Sequence, residues 1–461
     1  MKKVLLINPP ESKQDGYFNP PVALLYLAGS LRQAGAEVAV LDGCLEGWQG
    51  IALKIRAFKP DIIGVTCLTP ERRAAIRVAS LAKEIDANVL TVMGGAHPTT
   101  MDRQLLTCYP YVDVAARGEG EEIIVELARD LPLAEIAGIS WRKNGKVLRN
   151  HWRDTIADLN SIPLPAWDLI DLHRYPARGT GVVNGVDLAK APRVSVVFSR
   201  GCVARCHFCS TWWIWQGWRG RSGANMADEL SLLYHDCGVR HFCFADDTMT
   251  VNRDEVIKLC HEITTRDLKI AFHLTTRVDC VDEEMLARLK EAGCYEIAYG
   301  IETGCERLLS AMGKNVTLES ADRAIALTKA VGIRATALII LGNVGETVET
   351  INETVAWLTR VQPNSVGTVG ALWILPGTKL CARAKKLGLL DDEFWLSDEP
   401  YLVYDYEHNR KRLKLFHTSL VLRKALLQPL WFNALRFAFI RLIRLLKDMV
   451  YRLGRLLRRR G

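Results

Sequence analysis

The segment 199–209 contains three cysteines whose spacing could support metal chemistry. Cys202, Cys206 and Cys209 stand in the pattern C-x3-C-x2-C, whereas the other ten cysteines of the chain are scattered. Three thiolates this close together can bind three irons of a [4Fe–4S] cluster. The fourth iron then stays open to another ligand, as catalytic metal sites require. His207 lies between two of the cysteines, so a structural zinc site is one alternative, and chance clustering is the other.

Four tryptophans follow the cysteines within the seven residues 212–218. Indole rings suit a flat or apolar partner, and they carry an N–H that can hydrogen-bond. Alternatively, they pack the cysteine segment and exclude water from it. Arg219 and Arg221 come next and could bind carboxylates or phosphates of a ligand, or they could be solvated. The four tryptophans are Trp212, Trp213, Trp215 and Trp218.

Carboxylates follow two further predicted strands. Asp246 and Asp247 are adjacent, and we expect one to face the mouth of the site and the other to cap a helix N-terminus. Glu302 stands at a later strand end. It is expected either to contact a ligand or to form an internal salt bridge.

Residues 191–395 alternate short β-branched runs with helical patterns. Six such repeats predict an α/β fold, a partial (β/α)6 barrel. Active sites of these barrels lie at the carboxyl ends of the strands, where the cysteines, the aspartates and Glu302 fall. The predicted strands are Val194–Phe198, His241–Phe244, Ile270–Leu274, Glu296–Tyr299, Thr336–Ile340 and Val366–Leu372.

Residues 1–132 show five earlier strand–helix repeats, which predict a doubly wound, Rossmann-like parallel sheet. Ligands of such sheets bind at the carboxyl ends of the strands. The loops predicted there suit a nucleotide-like ligand, although they could also be plain tight turns. These loops are Asn8-Pro9-Pro10, Thr66-Cys67-Leu68, Gly94-Gly95-Ala96-His97-Pro98-Thr99 and Arg117-Gly118-Glu119-Gly120-Glu121. The predicted strands are Lys3–Ile7, Glu37–Leu41, Asp61–Thr66, Asn88–Met93 and Val112–Ala115.

Two further segments complete the predicted domain plan. Residues 133–190 are expected to be a connector that carries a small hairpin with an Asn144-Gly145 turn. Residues 396–461 form a basic region that is amphipathic from Arg436 onward. Such a helix favours the surface of an anionic membrane, with docking on the barrel as the alternative. Few aromatic residues interleave with its charges to stack on bases, so we expect no nucleic-acid partner.

The composition excludes several classes of protein. Of 461 residues, 24% are charged and 49% are hydrophobic, which excludes a disordered or collagenous chain. The net charge of +8 comes from the C-terminus, because residues 408–461 hold 15 basic residues and one acid. No secretory signal or long uncharged apolar stretch is visible, so we expect reduced cysteines and a cytoplasmic location, with peripheral membrane contact through the tail.

The cysteine spacing in a (β/α) barrel resembles the radical S-adenosylmethionine (SAM) enzymes. In that family SAM binds the open iron, and its reductive cleavage gives a 5′-deoxyadenosyl radical that abstracts hydrogen. The resemblance implies SAM or cluster contacts from Phe208, Asp246, Asp247, Gly300 and Glu302. Other segments that resemble the family are Phe244–Thr248, Gly300–Gly304, Leu375–Thr378 and Leu341–Thr347, the last with Val344 in place of a proline.

A doubly wound domain before such a barrel resembles the cobalamin-binding class of that family. The D-x-H-x-x-G motif of methionine-synthase-type cobalamin domains is absent, and the nearest string, 171–176, lacks its glycine. His97 could approach the corrin ring, or it could be a turn histidine bonded to the backbone. The resemblance implies cobalamin contacts from Asn8, Pro9, Thr66, Gly94, Gly95, His97, Gly118, Glu119 and Gly120.

The resemblance also implies an activity. The expected enzyme abstracts hydrogen from an unactivated carbon and transfers a methyl group to it from cobalamin. The alternatives are an oxidative ring closure like that of the anaerobic Mg-protoporphyrin IX monomethyl ester cyclase, and a non-catalytic sensor. The tryptophans and the tail favour an apolar substrate such as a tetrapyrrole, a hopanoid or another lipid. A flavodoxin or ferredoxin is the expected electron donor.

Overall fold

The computed structural model describes residues 1–10, 19–369, 371–399, 402–404, 407–408, 411–413 and 415–418. The predicted amphipathic helix from Arg436 and its membrane contact lie outside these residues. Among the described residues, no helix is both long enough and apolar enough to cross a bilayer.

The first domain is built on a seven-stranded sheet within the described residues, in the order β2-β1-β3-β4-β5-β6-β7. Strands β1 to β5 are parallel, so the predicted doubly wound fold is confirmed. The predicted hairpin around Asn144 pairs antiparallel with β5, so this sheet continues past residue 132 to Arg149. The strands are β1 Val4–Asn8, β2 Val38–Asp42, β3 Ile62–Thr66, β4 Leu90–Gly94, β5 Val114–Ala116, β6 Ile139–Lys143 and β7 Lys146–Arg149. The helices are α1 Val22–Gln33, α2 Gly43–Phe58, α3 Arg72–Ile85, α4 Ala96–Cys108 and α5 Glu121–Ala128.

Both faces of this sheet are buried because successive side chains of each strand point to opposite faces. Leu5 and Ile7 of β1 pack with α2, α3 and α4 on one face. Val4 and Leu6 pack with α1 and α5 on the other. That second core continues through Trp167 of the connector into the barrel, so the two domains share one apolar interior.

Among the residues that the structure describes, the second domain has six parallel strands in sequential order, β10-β13-β14-β15-β16-β17, which is the predicted open barrel. The connector contributes a small hairpin, β8 Val182–Val183 and β9 Val186–Asp187. The later strands are β10 Arg193–Val196, β11 Ser199–Arg200, β12 Arg219–Gly220, β13 His241–Phe244, β14 Ala271–Thr276, β15 Cys294–Glu302, β16 Arg334–Ile340 and β17 Ser365–Val369. The helices are α6 Thr211–Trp215, α7 Gly223–His235, α8 Arg253–Thr265, α9 Glu283–Glu291, α10 Glu306–Ala311, α11 Leu318–Ala330 and α12 Val348–Val361.

Side-chain caps fix where the long barrel helices begin. A polar side chain that accepts a hydrogen bond from a first-turn N–H satisfies one of the donors that a helix start leaves unpaired. The capping residues are Ser222, Asn252, Asp282, Thr317 and Thr347 for α7, α8, α9, α11 and α12.

A C-terminal segment returns from the barrel to the first domain. It comprises β18 Trp373–Ile374, α13 Lys379–Lys386 and β19 Leu402–Val403. The guanidinium of Arg72 in α3 is fully buried and donates to the carbonyl oxygens of Trp395, Ser397 and Glu399. In the same segment Leu380 N donates to His207 O at 2.9 Å. The segment therefore contacts both the first domain and the residues around the cysteines.

A buried polar group also joins the domains. Glu229 of α7 has no exposed surface and pairs with Arg221. Its carboxylate also accepts hydrogen bonds from Trp167 Nε1 at 3.2 Å and from the Tyr26 hydroxyl of α1 at 3.4 Å. The pair thus links helix α1, the connector and the barrel.

We expect Glu229→Gln to lower the free energy of unfolding by about 3–5 kcal/mol, because it leaves the buried Arg221 guanidinium without its counter-charge. Urea unfolding followed by circular dichroism measures this loss. The matched control is the double variant Arg221→Met with Glu229→Met, which removes both charges and should recover most of the stability. A Glu229→Gln variant within about 1 kcal/mol of the wild type contradicts this role.

Candidate active site

The three cysteines lie on a loop that closes on itself. We call residues 201–218 the cysteine loop and the antiparallel pair β11–β12 its neck. The neck pairs Ser199 with Gly220 and Arg200 with Arg219. Because β11 follows β10 directly, the loop leaves the carboxyl end of the first barrel strand, where the sequence predicted the active site.

The thiols of the loop differ in burial. Cys206 is buried, whereas Cys202 and Cys209 are half-buried. Cys202 Sγ lies 3.2 Å from Thr248 Oγ1 and accepts a hydrogen bond from Ala204 N at 3.4 Å. Burial raises the pKa of the Cys206 and Cys209 thiols, so a metal that binds them must displace their protons.

The donor set of the loop fits a cluster better than a single ion. Within the described residues, no three His, Cys, Asp or Glu side chains converge closely enough to hold one metal ion. Three thiolates of a [4Fe–4S] cluster bind three different irons and need not converge on one point. The His207 ring packs against the backbone of Gly313, where an added methyl group would come within 3.0 Å of Nε2. The geometry therefore offers no support for the zinc alternative.

Asp246 and Asp247 have different roles. Asp246 is buried, and its carboxylate accepts hydrogen bonds from the backbone N–H and hydroxyl of Ser199 and from Phe198 N. Burial raises its pKa to about 7. Asp247 is exposed and accepts a hydrogen bond from Thr211 Oγ1 at 3.0 Å. Neither aspartate forms the expected helix cap: α8 is capped by Asn252, Asp246 holds the neck, and Asp247 reaches the start of α6 only through the side chain of Thr211.

Glu302 at the end of β15 forms the internal salt bridge that was the alternative to ligand contact. Its carboxylate lies 2.6 Å from Lys314 Nζ, and both side chains are buried. Glu302 has a left-handed φ of 70°, a costly conformation that a non-glycine residue keeps only where its surroundings enforce it. Gly300 leaves room for the pair, since a methyl group there would lie 2.7 Å from Glu302 Oε1.

Two buried cations near the thiols were not predicted from the sequence. Arg277 is bound in bidentate fashion by Asp279 and donates to Lys314 O at 3.4 Å. Burial raises the pKa of Cys206, whereas Lys314 and Arg277 lower it. Positive charges beside a thiol favour the thiolate, which is the form that binds iron. Neither residue belongs to a recognisable motif, so only the fold reveals them.

Two of the tryptophans pack the loop and three line a cavity, with Trp218 in both groups. Trp215 stacks on the Arg200 guanidinium, and Trp218 donates from Nε1 to Thr248 O at 3.0 Å, so both pack the loop. Trp212 and Trp213 line a cavity of about 540 Å³. Further lining residues of this cavity are Trp152, Cys202, Val203, Arg205, Gln216, Gly217 and Trp218.

The loops of the first domain meet at one edge, as predicted. Gly118 N donates to Thr99 Oγ1 at 3.1 Å, and Thr99 Oγ1 donates to Gly95 O at 2.7 Å. Asn8 Nδ2 donates to Asp42 Oδ1 at 2.8 Å. The edge is therefore lined by small side chains and backbone, which a flat ring can approach closely. Asn8, Pro9, Thr66, Gly94 and Gly95 all lie in it, at the ends of β1, β3 and β4 or just after them.

Glu119 and Gly120, in contrast, face other parts of the protein. The Glu119 carboxylate is buried and bound by Arg200 and Arg219 of the neck. Gly120 faces α1, where an added methyl group would lie 3.2 Å from Leu27. Arg219, expected to bind a ligand or to be solvated, binds protein carboxylate instead, and so does Arg221.

His97 is a structural residue. It is buried in the first turn of α4, its backbone N–H donates to Cys67 O at 3.1 Å, and Nδ1 lies 3.3 Å from Thr69 Oγ1. Burial lowers its pKa to about 3, so the imidazole is neutral. These contacts agree with the alternative in which His97 is a turn histidine and not a residue that approaches the corrin ring.

We expect Gly201→Ala to abolish assembly of a cluster on the cysteine loop. Gly201 has φ 88°, and an added methyl group would lie 1.9 Å from Gly217 O, so the loop could not close on its neck. The visible absorbance of the protein after incubation with iron and sulfide measures assembly. Gly238→Ala is the control, because Gly238 also has a positive φ but has open space around it. Equal cluster content in both variants contradicts the prediction.

The His97 pKa predicts a loss of stability in acid. The folded state favours the neutral form of His97. The free energy of unfolding therefore keeps its full value above about pH 6.5 and decreases as the pH falls towards 3. At about pH 4.5 the loss amounts to about 3 kcal/mol. His97→Gln should flatten this acid limb relative to the wild type in urea unfolding at pH 7 and pH 4.5. If the free energy of unfolding falls by the same amount in both proteins between pH 7 and pH 4.5, the prediction is wrong.

Two family models match the chain. The model of the B12 binding domain matches residues 14–128, and the model of the radical SAM superfamily matches residues 196–358. These ranges fall on the parallel part of the first sheet and on the barrel from the end of β10 into α12. The second range contains all three cysteines of the loop.

Curated relatives and solved structures agree with these matches. An uncharacterised methyltransferase of Pyrococcus horikoshii is 33% identical over 436 residues, which cover 92% of this chain and 91% of the relative. The anaerobic magnesium-protoporphyrin IX monomethyl ester cyclase of Rubrivivax gelatinosus is 32% identical over 73% of this chain, which spans only 61% of the cyclase. The structure of the cobalamin-dependent radical enzyme OxsB shares the fold with a TM-score of 0.74 at 19% identity, covering 92% of this chain and 67% of that one. The chain therefore belongs to the radical SAM enzymes that carry a B12 binding domain.

Proposed function

We propose that this chain is a cobalamin-dependent radical SAM methyltransferase that acts on a flat, apolar substrate. One observation carries the proposal: Cys202 of the three-cysteine loop lines a cavity in which four of the nine lining residues are tryptophans. The cavity lies near the first domain, because a methyl group added at Gly377 would lie 3.5 Å from the Trp213 ring and 3.0 Å from Thr100 of α4. A substrate there would lie between the cluster site and the cobalamin edge.

The residues present fit both cofactors. Cys202, Cys206 and Cys209 would hold the cluster, and the edge formed by Asn8, Thr66, Gly94 and Gly118 would hold cobalamin. When bound, the cluster supplies one electron for the cleavage of SAM, and cobalamin supplies the methyl group. OxsB, which has the same fold, has been solved with aqua-cobalamin and SAM bound.

The chain's own residues prepare this chemistry. Lys314 and Arg277 favour the thiolate form of Cys206. The neck fixes both ends of the cysteine loop through Asp246 and the β11–β12 pairing. Trp215 and Trp218 pack the loop and exclude water, which protects a reactive radical from side reactions.

The substrate class follows from the exposed rings. Trp213 is 45% exposed, and its ring meets that of Trp212 edge to face at 6.0 Å. Such a pair offers a large apolar surface for a planar or lipid-like molecule. The cyclase relative takes its name from a tetrapyrrole, so a tetrapyrrole is the first candidate and a hopanoid-like lipid the second.

The test is anaerobic reconstitution with iron, sulfide and hydroxocobalamin, followed by incubation with SAM and dithionite, with and without protoporphyrin IX as a probe. We expect both 5′-deoxyadenosine and S-adenosylhomocysteine, and we expect Cys206→Ala to reduce both to background. Cys237→Ala, which changes a cysteine just after the C-terminal end of α7, is the matched control and should retain both products.

The products separate the remaining possibilities. 5′-Deoxyadenosine without S-adenosylhomocysteine would contradict methyl transfer and favour oxidative ring closure of the cyclase kind. Neither product from a protein whose cluster is confirmed by its spectrum would contradict the radical mechanism and favour a sensor.

A further inference from the structure

The loop after β5 carries two carboxylates that bind the neck of the cysteine loop. We call residues 117–121 the acidic loop. Arg200 Nη1 lies 2.6 Å from Glu119 Oε1, and its Nη2 lies 2.5 Å from Glu121 Oε1. All three side chains are buried. The first domain therefore binds the root of the cysteine loop through charged hydrogen bonds that water does not screen.

Glu119 binds both strands of the neck. Its second oxygen, Oε2, accepts hydrogen bonds from Arg219 Nη1 at 2.8 Å and from Ile156 N of the connector at 2.7 Å. Arg200 and Arg219 stand directly opposite each other in the β11–β12 register. One carboxylate of the first domain thus fixes the spacing of the two chain segments that enter and leave the cysteine loop.

The network continues into the cysteine loop itself. The Arg200 guanidinium lies between the rings of Tyr26 and Trp215, 5.5 and 5.4 Å from their centroids. The backbone carbonyl of Trp215 accepts a hydrogen bond from Arg219 Nη2 at 3.1 Å. A displacement of the acidic loop is therefore transmitted to Trp215, within the loop that carries the cysteines.

The other side of the acidic loop faces the ligand edge of the first domain. Gly118 N binds Thr99, whose hydroxyl binds Gly95 O. The same glycine packs against Trp152, which lines the cavity that contains Cys202. One short loop therefore contacts the edge expected to hold cobalamin and the neck that holds the cysteines.

We propose that Glu119 is a positioning residue, which couples occupancy of the cobalamin edge to the geometry of the cysteine loop. The family resemblance implied that Glu119 contacts the cofactor. In the structure its two carboxylate oxygens instead bind the neck and the connector. That the two ligands are cobalamin and an iron–sulfur cluster rests on the proposed function. The positioning of the cysteine loop by Glu119 does not depend on it. Because coupling between two binding sites is reciprocal, a cluster on the loop should alter the affinity for cobalamin by the same factor as the reverse.

The first test needs no cofactor. Glu119→Gln keeps the shape of the side chain but leaves Glu121 as the one carboxylate facing the two guanidinium groups of Arg200 and Arg219. We expect amide hydrogen exchange within residues 201–218 to become at least about tenfold faster than in the wild type. Glu122→Gln is the matched control, because Glu122 is a nearby glutamate that pairs with Arg153 rather than with the neck. Arg219→Gln, which loosens only the outer part of the network, serves if Glu119→Gln does not fold. Unchanged exchange in the folded variant overturns the proposal.

The second test measures the coupling. Quenching of tryptophan fluorescence by hydroxocobalamin gives its Kd for protein with and without a reconstituted cluster. We expect these values to differ at least about fivefold in the wild type and in Glu122→Gln, and to become nearly equal in Glu119→Gln. Equal values in the wild type overturn the coupling. Loss of hydroxocobalamin binding in Glu119→Gln with normal loop exchange also overturns it, since Glu119 would then be a cofactor contact. A wild type that takes up neither cofactor instead refutes the proposed function, while the exchange experiment still decides the positioning role.

Discussion

The guanidinium of Arg200 joins the two domains at the place where the chemistry would occur. It is buried, and although burial lowers its pKa, the Glu121 and Glu119 carboxylates raise that pKa above its usual value. Together with Arg219, the network contains two acids and two bases, so the charges cancel within it. A buried network of this kind is stable only when it is complete, because each member left unpaired is costly. The neck, and with it the cysteine loop, therefore depends on the first domain being in place.

The apolar core also joins the barrel to the first domain. One core runs from Val4 of the first sheet through Trp167 to Phe242 of the barrel. The Arg221–Glu229 pair lies within this continuous packing and also contacts helix α1 through Tyr26. The domains consequently share their interior as well as their charges.

Features that depend on neighbouring residues could be predicted from the sequence, whereas ion pairs between distant residues could not. The cysteine spacing and the strand–helix alternation are local patterns, so the loop, the parallel sheet and the barrel were all foreseen. Glu119 and Arg200 are 81 positions apart, and no local pattern shows that this carboxylate binds protein rather than cofactor. The same holds for Glu302, whose partner Lys314 lies outside any motif. The roles of charged residues at strand ends were therefore the least predictable part of the site, because a carboxylate near a ligand and one in an ion pair look alike in sequence.

The carbonyl groups that surround Arg72 have a consequence for the order of biosynthesis. Three of them, those of Trp395, Ser397 and Glu399, belong to residues more than 320 positions later in the chain, and the same late segment binds the backbone of His207 beside two of the cysteines. On the ribosome the first domain would emerge long before these partners exist. The buried arginine then stays hydrated, and the cysteine loop lacks one of its supports. Final packing around Arg72 and around the cysteine loop can therefore occur only after residues 380–399 have been made.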